Sequence, residues 1–263
     1  MELKDLAGQD LGTRTIAWDA REAILYALAV GASCDEMDLV YERNLEVLPT
    51  YACALGLWAV ERTGGLGAYD RNMSLHATQS LELHAPMPPS GSFEARGRVA
   101  EVWDKGKAAI VRIVVECEIF TASYGIFLPG RGGWGGERGP SASPAQWHPS
   151  WQGRHAVDRN RAALYRLTGD RHPIHIDIEV ARANGFDRPI LHGLCTLGIA
   201  ARMLAEPAGA HPRELRHLEA RLAAPVMPGD AIDVTAGGNG AGLSFEAKVG
   251  EKAVLTGGRV VFG

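Results

Sequence analysis

Residues 165–175, YRLTGDRHPIH, place an aspartate, two histidines and a proline within the six positions from Asp170 to His175, and a His-Gly pair, His192-Gly193, follows. A carboxylate and an imidazole five residues apart, with Pro173 fixing the turn between them, can converge on one water as an acid–base pair. Gly193 opens the apolar run GLCTLGIAARML, and a backbone N–H at the start of such a helix, with the helix dipole behind it, suits an oxyanion. Two other uses of the same side chains stay open. His172, His175, Asp177 and His192 are legitimate zinc ligands, although HxxH across a proline turn is not the helical i, i+4 pair that puts two imidazoles on one face. Alternatively, Asp170 is a turn residue and His192 a buried, hydrogen-bonded histidine.

The elements that must position these groups follow from hydropathy. HGLCTLGIAARML is apolar nearly all round, as a buried helix is. HIDIEVARANGF reads as a helix ending at Gly185, and Thr168-Gly169-Asp170 as turn chemistry at a strand end. AAIVRIVVECEIF is β-branched and alternates in its second part, so it reads as a strand. The chain also looks like a weak repeat: LPTYACALGLWAV and LELHAPMPPSGSFEARGRVAEV find counterparts in RPILHGLCTLGIAARML and LEARLAAPVMPGDAIDVTAGG. Pro49 matches Pro189 and Pro86 matches Pro225 at a nearly constant offset. Between the halves, residues 129–153 are rich in Gly, Pro and Ser and are expected to be an irregular connection, packed on the body through Trp134, Trp147 and Trp151. One apolar helix with several strands, made twice, predicts an α+β double hot-dog: an N-terminal domain at 1–128, the linker at 129–153 and a catalytic domain at 154–263.

Composition narrows the function classes. A formal charge of -4 on 263 residues, 22% of them charged, argues against a basic face for nucleic acid. No run approaches the ~18 apolar residues that span a bilayer, so no membrane role is expected. Cys34, Cys53, Cys117 and Cys195 lie far apart without CxxC spacing, which fits free thiols, a cytoplasmic location and no metal requirement.

YRLTGDRHPIHID, followed by ANGFDRPILHGLCTLG, resembles the signature of the R-specific (type 2) enoyl-CoA hydratases and the related MaoC-like dehydratases. That pattern runs Tyr-Arg-Leu-Ser-Gly-Asp-x-Asn-Pro-Leu-His-x-Asp, then Pro-Ile-x-His-Gly. ILYALAVGA, LVYERNLEVLPTYA, LHATQSLELHAPMP, DKGKAA and GRGGWGGERGPS extend the likeness over nearly the whole chain, in the two-domain form found in peroxisomal multifunctional enzymes. The resemblance implies a hydro-lyase that adds water reversibly to trans-2-enoyl-CoA to give the (3R)-hydroxy product, without a cofactor, in a fatty-acid-oxidising context. By position it implies Asp170 and His175 as catalytic groups and Gly193 as the oxyanion donor. The family's Asn falls on His172, a departure that puts a titratable ring beside the dyad. Shifting Asp170 and His175 back by the repeat offset lands on Val30 and Asp35, so one site per chain is expected, with the first half shaping the acyl pocket. Lys105, Lys107 and Arg131 are candidates for the phosphates of CoA, His192 for a further substrate contact, and a homodimer is expected. Thioester hydrolysis, and a non-catalytic acyl-binding or subunit-partner role, are the rival readings on the same fold.

Overall fold

The structure is a computed structural model that describes residues 1–141, 146–238 and 242–263. The first half runs β1 (Asp10–Trp18), α1 (Ala20–Ala29), α2 (Met37–Val40), α3 (Tyr51–Leu55), α4 (Trp58–Gly64), β2 (Leu75–Leu83), β3 (Gly91–Asp104), β4 (Ala108–Glu116) and β5 (Phe120–Pro129). The second runs β6 (Trp151–Ala156), α5 (Arg161–Tyr165), α6 (Ile178–Ala183), α7 (Gly193–Met203), α8 (Ala205–Ala208), β7 (Leu215–Leu222), β8 (Ala231–Gly238), β9 (Leu243–Val249) and β10 (Lys252–Phe262).

The ten strands among the described residues join one antiparallel sheet in the order β1-β3-β4-β5-β2-β7-β10-β9-β8-β6. Read from the centre outward, the two halves have the same strand order. β2 and β7 begin 140 residues apart, and so do β3 and β8, which gives the repeat offset seen at the prolines a structural meaning. The halves meet where β2 pairs with β7, from Thr78↔Arg221 to Glu82↔His217. Each half-sheet curls about its own helices, α3 and α4 in the first and α7 in the second, which is the double hot-dog arrangement.

Local sequence explains these elements. β4 buries Val111, Ile113 and Val115 on one face, the period-2 pattern of a strand with a core on one side. α7 buries Leu194, Cys195, Leu197, Ile199, Ala200 and Ala201, so helix burial on nearly all sides replaces an amphipathic stripe.

The structure departs from the sequence expectations in four places. Gly169 follows helical turns, α5 and a 3-10 turn at Arg166–Thr168, not a strand; Ala162 and Tyr165 are the buried pair that makes the segment helical. The helix in HIDIEVARANGF starts only at Ile178, because the Asp177 carboxylate accepts from Glu179 and Val180 N–H and fixes the start there. LPTYACALGLWAV is two short helices interrupted at Gly56-Leu57. Trp151–Gly153, expected to be irregular, are the start of β6, paired with Val234–Ala236. Trp134 and Trp151 pack against the core and Trp147 is half-buried.

The connection is pinned by buried Asp104. Its carboxylate accepts N–H bonds from Gly106, Gly133 and Gly135, and these hold its pKa down at about 2 against the opposing effect of burial.

Candidate active site

The catalytic-type residues converge on one loop. Gly169, at φ 145°, ends the 3-10 turn in a conformation L side chains rarely adopt, and Asp170 leaves it facing inward. Pro173 opens a second 3-10 turn that ends at His175. His175 Nδ1 lies 2.9 Å from the Ile190 carbonyl oxygen. A carbonyl only accepts, so Nδ1 carries the proton and Nε2 keeps a free lone pair. That lone pair faces Asp170 Oδ2 at 3.8 Å, too far for a direct hydrogen bond and suited to a group held between them. The His175 side chain is 10% exposed and Asp170 24%, so the approach is from the carboxylate's side. Burial pushes the His175 pKa down, and the Asp170 charge opposes that shift. A lone pair available at neutral pH is the state a general base requires.

Gly193 is the first residue of α7, and the first N–H groups of a helix have no partner within it. A side chain here would meet Leu222 Cδ1 at 2.7 Å, so the end of the Leu222 side chain on β7 would have to move to admit one. His192, 1% exposed, precedes it. Its ring stacks on His175, with centroids 3.6 Å apart and planes at 23°. His192 Nε2 sits 3.1 Å from the Asp170 backbone oxygen. Burial, reinforced by neighbouring His175, lowers its pKa to about 3.

His172 lies beside the pair. Its backbone N–H donates to Asp170 Oδ1 at 3.1 Å, and its Nδ1 accepts from Ile174 N–H at 3.3 Å. Its ring stands edge-on to His175, with centroids 6.3 Å apart.

Ligand atoms of Asp170, His175 and His192 lie within 4.8 Å of one another. Yet the two imidazoles are stacked face to face, so their in-plane lone pairs run side by side instead of meeting at a point. His175 Nδ1 and His192 Nε2 are also spent on carbonyl oxygens. Asp177 is turned to its own helix cap. The donor set does not fit a metal in this arrangement.

Lys105, Lys107 and Arg131 gather elsewhere, at the β3–β4 turn and the connection. Lys105 Nζ donates to the Arg138 and Pro140 carbonyls, and Arg131 donates to the Ala68 carbonyl at 3.1 Å. Lys107 is exposed.

Three further groups that the motif alone did not assign a role border the pair. The Ile190 carbonyl sets the His175 tautomer, and a backbone oxygen has no residue code. Tyr165 lies under His192, with ring centroids 4.8 Å apart. His76, on β2 of the first half, sits where the Asp170 charge reaches it, although burial dominates and takes its pKa to about 4. At the repeat positions of the dyad, Val30 is buried and Asp35 exposed, and they form no acid–base pair.

The chain is similar to known proteins along nearly its whole length. Residues 142–258 match the family described as MaoC like domain, and residues 17–126 match the MFE-2 hydratase 2 N-terminal domain. The chain is 33% identical to enoyl-CoA hydratase ChsH3 of Mycobacterium tuberculosis, over 98% of this chain and 97% of that protein. It is 34% identical to the peroxisomal multifunctional enzyme type 2 of Drosophila melanogaster over 96% of this chain, and spans 47% of that longer protein. The crystal structure of a MaoC-like dehydratase from Phytophthora capsici superposes with a TM-score of 0.89 at 26% identity, covering 99% of this chain and 97% of that one. The chain belongs to the MaoC-like hydratase and dehydratase family in its two-domain, double hot-dog form.

Proposed function

We propose that this chain is a hydro-lyase that adds water reversibly to trans-2-enoyl-CoA, giving the (3R)-3-hydroxyacyl-CoA. The observation that carries the reading is the dyad: a free His175 Nε2 lone pair facing the Asp170 carboxylate at 3.8 Å, beside the open end of α7. A conjugated thioester takes hydroxyl at C3 and a proton at C2, while negative charge builds on the thioester oxygen. In this reading one water lies between His175 Nε2 and Asp170 Oδ2. His175 removes its proton as the oxygen bonds to C3, and Asp170 orients the water. The proton returns through the dyad to C2, so none is consumed overall. The Gly193 N–H receives the enolate-like oxygen, a role in which losing one donor typically costs ~10²–10³ in rate. In this reading all three groups address one face of the substrate, and a single product configuration follows.

The first half serves as the wall of the acyl pocket. A side chain at Gly169 would meet the Ala54 carbonyl oxygen at 3.5 Å, so α3 of residues 1–128 backs the catalytic loop of residues 154–263. For the CoA phosphates Lys107 is the most available of the three basic candidates, since Lys105 and Arg131 already hold backbone carbonyls. The four cysteines are free thiols, which supports a reducing, cytoplasmic setting, and no helix among the described residues is long and apolar enough to cross a membrane. A homodimer completes the reading, since β1 and β6 each pair on one side only.

The test is the loss of enoyl-thioester absorbance on adding the protein, run with Asp170→Asn and His175→Ala. Each substitution should cut turnover by ~10²–10⁴ while circular dichroism stays native. A folded variant with native turnover would refute the dyad, and release of free thiol would point to hydrolysis instead.

A further inference from the structure

His192 touches every part of the dyad and yet cannot act on a substrate. Its Nε2 faces a carbonyl oxygen, so that nitrogen carries the ring's proton and the imidazole is neutral. The proton is committed to the Asp170 backbone oxygen. One ring face is covered by His175 at 3.6 Å, and Tyr165 packs at 4.8 Å. The remaining nitrogen, Nδ1, is buried and has no partner among the described residues. The backbone carbonyl of His192 accepts from Thr196 N–H at 3.1 Å and so begins α7, whose first N–H belongs to Gly193. One side chain therefore grips the carboxylate's backbone, floors the imidazole and adjoins the oxyanion donor.

We propose that His192 is a positioning residue, its N–H fixing the Asp170 loop and its ring sealing the inner face of His175 from water. This rests on the dyad reading above and differs from the direct substrate contact anticipated from the sequence. The two functions use different parts of the ring and can be separated. The N–H sets where the carboxylate stands, and a misplacement of about 1 Å at such a site can cost ~10²-fold in rate. The ring excludes water, and burial is the main cause of the lowered His175 pKa.

Three variants of the full chain separate these effects. His192→Phe keeps a ring against His175 and removes the donor. It should lower kcat by about 10–10²-fold with KM unchanged, and leave the acid limb of the pH–rate profile in place. His192→Gln keeps an N–H at similar reach and removes the ring. It should retain kcat within about 10-fold at neutral pH and move the acid limb upward, toward the ordinary histidine range. His192→Ala should show both defects. A packing role alone would lower stability without separating kcat from KM or moving the limb. Nitrogen NMR of the unsubstituted protein adds a measurement free of folding losses: His192 should appear as the neutral Nε2–H tautomer throughout the working pH range. Native kcat in His192→Phe, an unmoved limb in His192→Gln, or an Nδ1–H tautomer would overturn the proposal. Asp170→Asn and His175→Ala run alongside distinguish the two levels. If they keep native turnover, the dyad reading itself fails. If they are inactive while both His192 variants behave as native, only the positioning role fails.

Discussion

At the scale of single residues, His172 is the informative departure from the family pattern. Its Nδ1 accepts the Ile174 N–H two positions on, the bond an asparagine side-chain oxygen makes in an Asx turn, so the ring reproduces the turn chemistry of the residue it replaces. That turn carries Asp170 and His175, so the acceptor at position 172 should matter more than the ring itself. His172→Asn keeps an acceptor for the Ile174 N–H, and turnover should stay within a few-fold. His172→Ala removes the acceptor and should cost about 10-fold or more through misplacement of the dyad. The measurement is kcat/KM on two enoyl-CoA substrates of different chain length. Equal turnover in the two variants with an altered substrate ratio would show that His172 faces the acyl group instead.

At the scale of elements, the proposed oxyanion donor depends on how closely β7 approaches the first turn of α7. Leu222 stands where a Cβ on residue 193 would go, at 2.7 Å from Cδ1. Gly193→Ala should fold, because the obstacle is the end of a flexible side chain, but it should shift the helix start and lower kcat by ~10²–10³. Adding Leu222→Ala restores the space, so the double variant should recover much of that loss. No recovery would mean that β7 does not set the position of the oxyanion donor. This dependence also marks what the sequence could and could not disclose. The approach of Asp170 to His175, and Gly193 at the start of α7, were legible because these residues are close in the chain and share a motif, and the offset of 140 residues announced the duplication. Leu222 was not, since its meeting with Gly193 depends on strand order that no local pattern encodes. α5 was mistaken for a strand end because its five residues are too few to display a helical period. β6 was hidden inside a Gly/Pro-rich stretch because an edge strand exposing alternate side chains to water needs little apolar sequence.

At the scale of the whole molecule, buried His192 and the half-buried His76 and His155 lie where one half meets the other. His192 leans on Tyr165, which leans on Tyr26 of α1 and through it on Tyr51 of α3, an aromatic column running from the catalytic loop into the first half. His155 of β6 lies against Gly31, just past α1, and burial pushes its pKa down to about 4. His76 belongs to β2, the strand that pairs with β7, and burial also lowers it to about 4. The sign of the linkage follows from these directions. The unfolded chain protonates all three near pH 6.5, whereas the folded chain resists until about pH 4 for His76 and His155 and about pH 3 for His192. Between those limits the unfolded state binds more protons, so stability falls as pH falls, by up to ~4 kcal/mol per pH unit if all three act together. Above pH 7 these groups contribute no pH dependence. Because the three lie against the other half or on the strand that joins the halves, acid should loosen that contact ahead of the outer strand β1. Amide hydrogen exchange at pH 7 and pH 5 should show β2, β7 and α1 losing protection first, and the melting temperature should drop over the same interval. Equal loss of protection in the outer strand β1, which carries no histidine, or a melting temperature unchanged between pH 7 and pH 5, would mean that these histidines do not govern the acid stability of the fold.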